Sequence, residues 1–117
     1  MSNSSLEVRS RVWINDKKGI FLGKGRVNLL QAIEQYGSIN KAAKSMNMSY
    51  LKAWKLVESM NIASKKPLTI KVSGGKGGGG TQLTEEGKKA IKLFQELNSR
   101  CQQFMDAEFE KLIKAYS

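Results

Sequence analysis

A mainly α chain with two small β-hairpins is predicted by three observations. Apolar residues recur at helical spacing over 27–36, 39–60 and 90–116, and a period near 3.6 marks a helix with one buried face. Short β-rich runs bounded by turn residues occur twice, over about 9–22 and 67–83. The chain has one Pro and 117 residues, so few helices can be interrupted and a single domain, 1–117, is expected.

The elements follow in order. Arg9–Ile14 and Ile20–Leu22 flank Asn15-Asp16-Lys17-Lys18-Gly19, which predicts a hairpin at about 9–22. Trp13 falls on the opposite face from Val12 and Ile14. Gly23 and Gly25 end the strand and admit a helix whose stripe, Val27, Leu29, Leu30, Ile33 and Tyr36, stops at Gly37. Ser38 is a suitable cap for a short helix, Ile39–Met46, with Ala42 and Ala43 at its middle. Asn47 tolerates the left-handed backbone of a tight turn, and Ser49 can cap a third helix reaching Met60 or Asn61. The pattern at about 38–61 is helix, tight turn, helix, with small residues where the two cross.

Beyond it, Pro67–Val72 reads as a strand, Ser73–Gly80 as a glycine loop and Thr81–Leu83 as the returning strand. Together they predict a wing at about 67–83. The glycine run is no phosphate-binding loop, because Lys76 is followed by Gly77 where Ser or Thr is required. Thr84 with Glu85 and Glu86 opens a last helix, about 85–116. Its stripe, Ala90, Phe94, Leu97, Cys101, Phe104, Met105, Phe109, Leu112 and Tyr116, runs about eight turns. The fold expected is therefore a winged helix-turn-helix with an N-terminal β-hairpin and a long C-terminal helix. That stripe packs either on the hairpin around Trp13 or against a second copy. In the second case Phe94, Leu97, Cys101, Phe104, Met105, Phe109 and Leu112 form the dimerisation seam.

Twenty Lys and Arg against ten Asp and Glu leave a net charge of +10, which attracts polyanions. Residues 38–80 hold eight basic side chains and only Glu58 as an acid, or +7 of the +10. That concentration predicts a binding face. With no His and one Cys, zinc sites, Ser-His-Asp triads and Cys-His dyads are excluded. Paired carboxylates occur at Glu85-Glu86 and around Asp106–Glu110, where capping and solvation account for them. Neither catalysis nor a bound metal or cofactor is expected. The lone Cys101 suits a reducing compartment, the polar N-terminus does not resemble a signal peptide, and no apolar run approaches the roughly 20 residues of a membrane span. A cytoplasmic, nucleoid-associated protein without a membrane partner is expected.

On a helical wheel Ala53, Val57 and Met60 face inward toward Ile39, Ala42, Ala43 and Met46. Leu51, Lys52, Lys55 and Ser59 then face outward, with Trp54 at the edge. A helix entering a major groove meets bases with its first turns. The candidate DNA-binding residues are Ser38, Lys41, Lys44, Ser49, Tyr50, Leu51, Lys52 and Lys55, with Lys71 and Lys76 from the wing. Hydroxyls can bond phosphate or base edges, ammonium groups can reach guanine acceptors, and Leu51 can touch a thymine methyl.

Two blocks of the sequence resemble a known family. Gly25-Arg26, Leu29-Leu30, Ile33, Gly37-Ser38-Ile39, Ala42-Ala43-Lys44, Met48-Ser49-Tyr50, Ala53-Trp54, Val57 and Met60-Asn61 form the first. The second is the glycine run 74–80 with Leu83-Thr84 and Gly87. Over roughly residues 8–97 the chain is similar to the amino-terminal domain of ModE-type molybdate-responsive transcription regulators, and more distantly to LysR-type helix pairs. The resemblance implies a homodimer, joined by its long last helix, on a palindromic operator in double-stranded DNA. It places Ser49, Tyr50 and Lys52 in the recognition helix and Lys76 in the wing. Molybdate-sensing members carry C-terminal oxyanion-binding domains, whereas this chain stops at Ser117, so molybdate binding is not expected of it.

Two other functions fit the same residues. Between 38 and 80 there is no Arg, the commonest specific reader of guanine, which suits a non-specific chromosome-coating or RNA-binding protein. The long helix alone would suit a protein-interaction module.

Overall fold

The computed structural model describes residues 5–75 and 78–116. Its elements in chain order are β1 (Ile14–Asp16), β2 (Gly19–Leu22), α1 (Lys24–Tyr36), α2 (Ile39–Ser45), α3 (Tyr50–Ala63), β3 (Thr69–Gly75), β4 (Gly78–Leu83) and α4 (Glu85–Tyr116). β1 pairs antiparallel with β2, and β3 with β4. The expected class, mainly α with two small β ribbons, is what is found.

α1 is the centre. Its Val27, Leu29, Leu30 and Ile33 are buried in one cluster with Ala42 and Ala43 of α2, Ala53, Val57 and Met60 of α3, and Ala90, Ile91 and Phe94 of α4. Burying a branched aliphatic chain contributes about 1.5–3 kcal/mol, and α1 brings four such chains. Gly37 ends α1 with φ 75°, and its N–H donates to the Ile33 carbonyl at 2.8 Å. The turn between α2 and α3 uses Asn47 at φ 53°, the left-handed residue expected there.

Several boundaries differ from expectation. β1 has three residues rather than six, because β2 has only four and Gly23 already serves as the N-cap of α1. No strand is left to pair with residues 9–13. That segment runs beside α4 instead. The Gln102 side-chain oxygen accepts from both the N–H and the hydroxyl of Ser10, at 3.1 and 3.2 Å, and its Nε2 donates to the Val8 carbonyl at 2.8 Å. Trp13 is exposed.

The expected glycine loop is largely strand: Val72 pairs with Gly80 and Gly75 with Gly78, with a register shift between them. Antiparallel pairing needs only backbone N–H and C=O groups, which Gly supplies. Lys76 lies outside the described residues.

Polar side chains fasten the wing to the helices. Asn61 Oδ1 accepts from the N–H groups of Leu68 and Thr69 at 2.8 and 3.3 Å, and its Nδ2 donates to the Thr69 hydroxyl at 3.1 Å. Thr84 caps α4: its hydroxyl accepts from the Gly87 N–H at 3.0 Å and donates to the Pro67 carbonyl at 2.7 Å. Gly87 sits so close to the Leu68 carbonyl that a Cβ there would collide with it.

α4 has 32 residues, about 48 Å of helix, yet its buried residues, Gly87, Ala90, Ile91 and Phe94, all lie in its first third. Phe94, grouped with the seam residues in the sequence reading, is thus part of the chain's own core at 4% exposure, because α1 covers the first turns of α4. The remainder projects, giving extents of 63 × 29 × 22 Å and a radius of gyration of 18.0 Å. Among the described residues, no helix is long and apolar enough to cross a membrane, and no group of three or more His, Cys, Asp or Glu could hold a metal ion.

Two substitutions test this framework by urea unfolding. Asn61→Ala removes three hydrogen bonds and strands two backbone N–H groups, so a loss of about 1–3 kcal/mol is expected. An unchanged midpoint would mean that the amide does not hold the wing. Gly87→Ala should destabilise by a similar ~1–3 kcal/mol through forced displacement of α4 from Leu68.

Candidate nucleic-acid interface

The α2–turn–α3 unit is built by its caps. The Ser38 hydroxyl accepts from the Lys41 N–H at 3.0 Å and the Ser49 hydroxyl from the Lys52 N–H at 3.1 Å. Each serine thus satisfies an otherwise orphaned first-turn donor and keeps its own O–H to offer outward. Two sequence-predicted site residues therefore have a structural role as well.

α3 divides as its wheel predicts over the first two turns. Ala53, Val57 and Met60 are buried, while Tyr50 is 53% and Leu51 59% exposed. Lys52 and Lys55 are exposed beside them, as are Lys41 and Lys44 on α2. Leu51 thus leaves most of its side chain uncovered. Ser59 departs from the prediction: its hydroxyl accepts from Arg26 Nη1 at 3.0 Å, so the later turns of α3 are turned toward α1. Burial lowers the pKa of that guanidinium, and the nearby Asp16 charge opposes the shift.

The β3–β4 ribbon stands close to the N-terminal end of α3. Ser38, Asn40, Tyr50, Trp54, Lys71 and Gly80 line a cleft between them. β4 is tied to the start of the helix pair, since the Thr81 N–H donates to the Gly37 carbonyl at 2.9 Å. A Cβ on Gly80 would lie 2.6 Å from that same oxygen, so only glycine permits the approach. The structure therefore brings together Ser38, Tyr50 and Lys71, with Lys41, Lys44, Leu51, Lys52 and Lys55 exposed on the two helices. Asn40 was not foreseen, because the cleft joins segments some forty residues apart; Trp54 lies at the edge of the exposed face, as expected.

Electrostatically the unit is strongly basic, with Glu58 as its one acid. The ion pairs among the described residues are Glu7–Arg9 and four pairs along α4. Lys41, Lys44, Lys52, Lys55 and Lys71 are in none of them. The basic middle of the chain is not one face, however: Lys65 and Lys66 lie past the far end of α3.

Of the seam candidates other than Phe94, Leu97, Phe104 and Leu112 are exposed, Phe104 at 66%, and Cys101, Met105 and Phe109 are half-buried. The N-terminal segment accounts for part of that cover. Ser10, Arg11 and Val12 flank Cys101 and Met105, and Leu6 and Val8 flank Phe109. Leu93, exposed one turn before Leu97, belongs to the same uncovered stripe and was missed.

The chain is 39% identical over 103 residues to the molybdenum transport protein ModE of Azotobacter vinelandii, a match covering 88% of this chain and 38% of that protein. It is 43% identical over 81 residues to the transcriptional regulator ModE of Haemophilus influenzae, covering 69% and 32%. With the DNA-binding transcriptional dual regulator ModE of Escherichia coli K12 it shares 40% identity over 78 residues, covering 67% and 30%. No protein-family model matches the chain. The chain spans about a third of the length of these curated relatives, and over that third it is a homologue of the ModE-type regulators.

Proposed function

We propose that this chain is a DNA-binding transcription regulator that acts as a homodimer. The observation that carries the reading is the exposed start of α3. Tyr50, Leu51, Lys52 and Lys55 stand uncovered beside a wing, and the lysines have no carboxylate partners among the described residues. Kinship to proteins named as transcriptional regulators supports it. In this reading α3 enters the major groove, its base contacts coming from Tyr50, Leu51, Lys52 and Lys55. Ser38, Lys41, Lys44 and Ser49 hold the phosphates of the flanking strand, and the wing, through Lys71 and Lys76, holds the backbone or minor groove. A second copy covers the Leu93, Leu97, Phe104 and Leu112 stripe of α4, with Cys101, Met105 and Phe109 at its margin. Two-fold symmetry then sets the recognition helices about 34 Å apart.

Selection from a random duplex pool at about 150 mM salt tests the reading, because non-specific binding weakens steeply with salt. An enriched inverted repeat is expected. Unenriched recovery would favour the chromosome-coating alternative, which the absence of Arg between 38 and 80 makes the natural competitor. On the selected site, Tyr50→Ala and Lys52→Ala should each weaken binding by about 1–3 kcal/mol with unfolding unchanged; full affinity in both would remove α3 as the reading helix. Phe104→Glu should give a monomer in sedimentation equilibrium, since a charge in an apolar seam is left unpaired. A surviving dimer would place the seam elsewhere.

A further inference from the structure

The far end of α3 carries a second basic surface that DNA reading does not use. Fourteen helical residues set Ala63 roughly 20 Å from Tyr50. There the β1–β2 turn and the last turn of α3 enclose an open groove, with Lys17, Lys18, Ile20, Arg26, Ile62 and Ala63 among its walls. Two of its lining residues are apolar and uncovered, Ile62 at 71% exposure and Ile20 also exposed. Its rim is cationic. Lys17, Lys18 and Arg26 line it, the last donating to the Ser59 hydroxyl; Lys65 and Lys66 follow α3 after Ser64, and none of the four lysines has an ion-pair partner among the described residues. The one acid of the groove, Asp16, shapes the turn, its Oδ1 accepting from the N–H groups of Lys18 and Gly19 at 2.9 and 3.0 Å, and its charge, which acts on Arg26, is outnumbered by the cations around it.

We propose that this groove docks an acidic protein segment bearing bulky aliphatic side chains, so that a protein partner sits at one end of α3 while the other end faces DNA. The mixed character of the surface decides the class of partner. A phosphate backbone would satisfy the cations but leave Ile20 and Ile62 in water. An acidic peptide with a Leu or Ile answers both, the charges steering encounter and the apolar contact holding the complex. The docking uses no residue of the proposed reading helix start or wing and is tested separately; only its placement opposite DNA rests on the proposed function.

The test titrates a fluorescein-labelled peptide of repeating Asp-Leu-Glu units with the full chain, read by anisotropy, alongside the same peptide with Gln for every Leu and a random duplex DNA. The Leu peptide should bind, and Ile62→Ser, at an exposed position that leaves the core intact, should weaken it about tenfold or more without changing duplex affinity. Lys17→Gln/Lys18→Gln should weaken the peptide likewise, yet reduce duplex affinity no more than the equal-charge control Lys88→Gln/Lys89→Gln on α4. Absence of peptide binding, or equal binding of the Leu and Gln peptides, would overturn the proposal. So would a duplex affinity that falls selectively with Lys17 and Lys18, because the patch would then be part of the DNA surface.

Discussion

Three elements of this protein meet at the backbone of one residue, Leu68. Its N–H donates to Asn61 at the end of α3, and its carbonyl accepts the Thr84 N–H at 2.9 Å, just before α4. Its side chain is buried in the core. The same carbonyl leaves no room for a side chain at Gly87. The arrangement of α3, the β3–β4 ribbon and α4 therefore depends on backbone hydrogen bonds, and a buried backbone group left unpaired is costly. A second tether, Thr81 to the Gly37 carbonyl, fixes the opposite strand of the wing to the start of the helix pair. The wing is held from both sides, so its position relative to α3 is a property of the core.

Charge is partitioned along the chain as sharply as burial is. α4 carries both signs, at spacings of three and four residues that let them pair across its surface. The helix pair and wing carry lysines and almost no acids. Exposed ion pairs contribute little to stability, so this arrangement matters for where the field points. The projecting helix is close to neutral, and the compact head retains the charge. The apolar stripe of α4 is thereby left unopposed by like-charge repulsion.

What could be read from the sequence was what depends on neighbours in the chain. Ser38, Ser49 and Thr84 cap the helices expected, Asn47 takes the left-handed turn, and the inward face of α3 is Ala53, Val57 and Met60. What could not be read depends on contacts between distant segments. Asn61 looks like any polar residue near a helix end, and nothing local says that it binds the N–H groups of Leu68 and Thr69. Ser59 shares the outward sector of Leu51 and Lys55 on a wheel, and only Arg26 of α1 distinguishes it. Phe94 and Phe104 lie on one stripe, but the core reaches only the first. The six-residue first strand failed for a simpler reason: its partner strand is too short to pair with it.

The projecting part of α4 also governs how the molecule moves through water. A compact chain of this length would have a radius of gyration of about 13 Å, against the 18.0 Å observed. Friction follows shape as well as mass, so a single copy tumbles anisotropically and diffuses like a heavier sphere. Its long axis reorients slowly while rotation about that axis stays fast, and amides along α4 relax according to the direction of their N–H bonds relative to the rod.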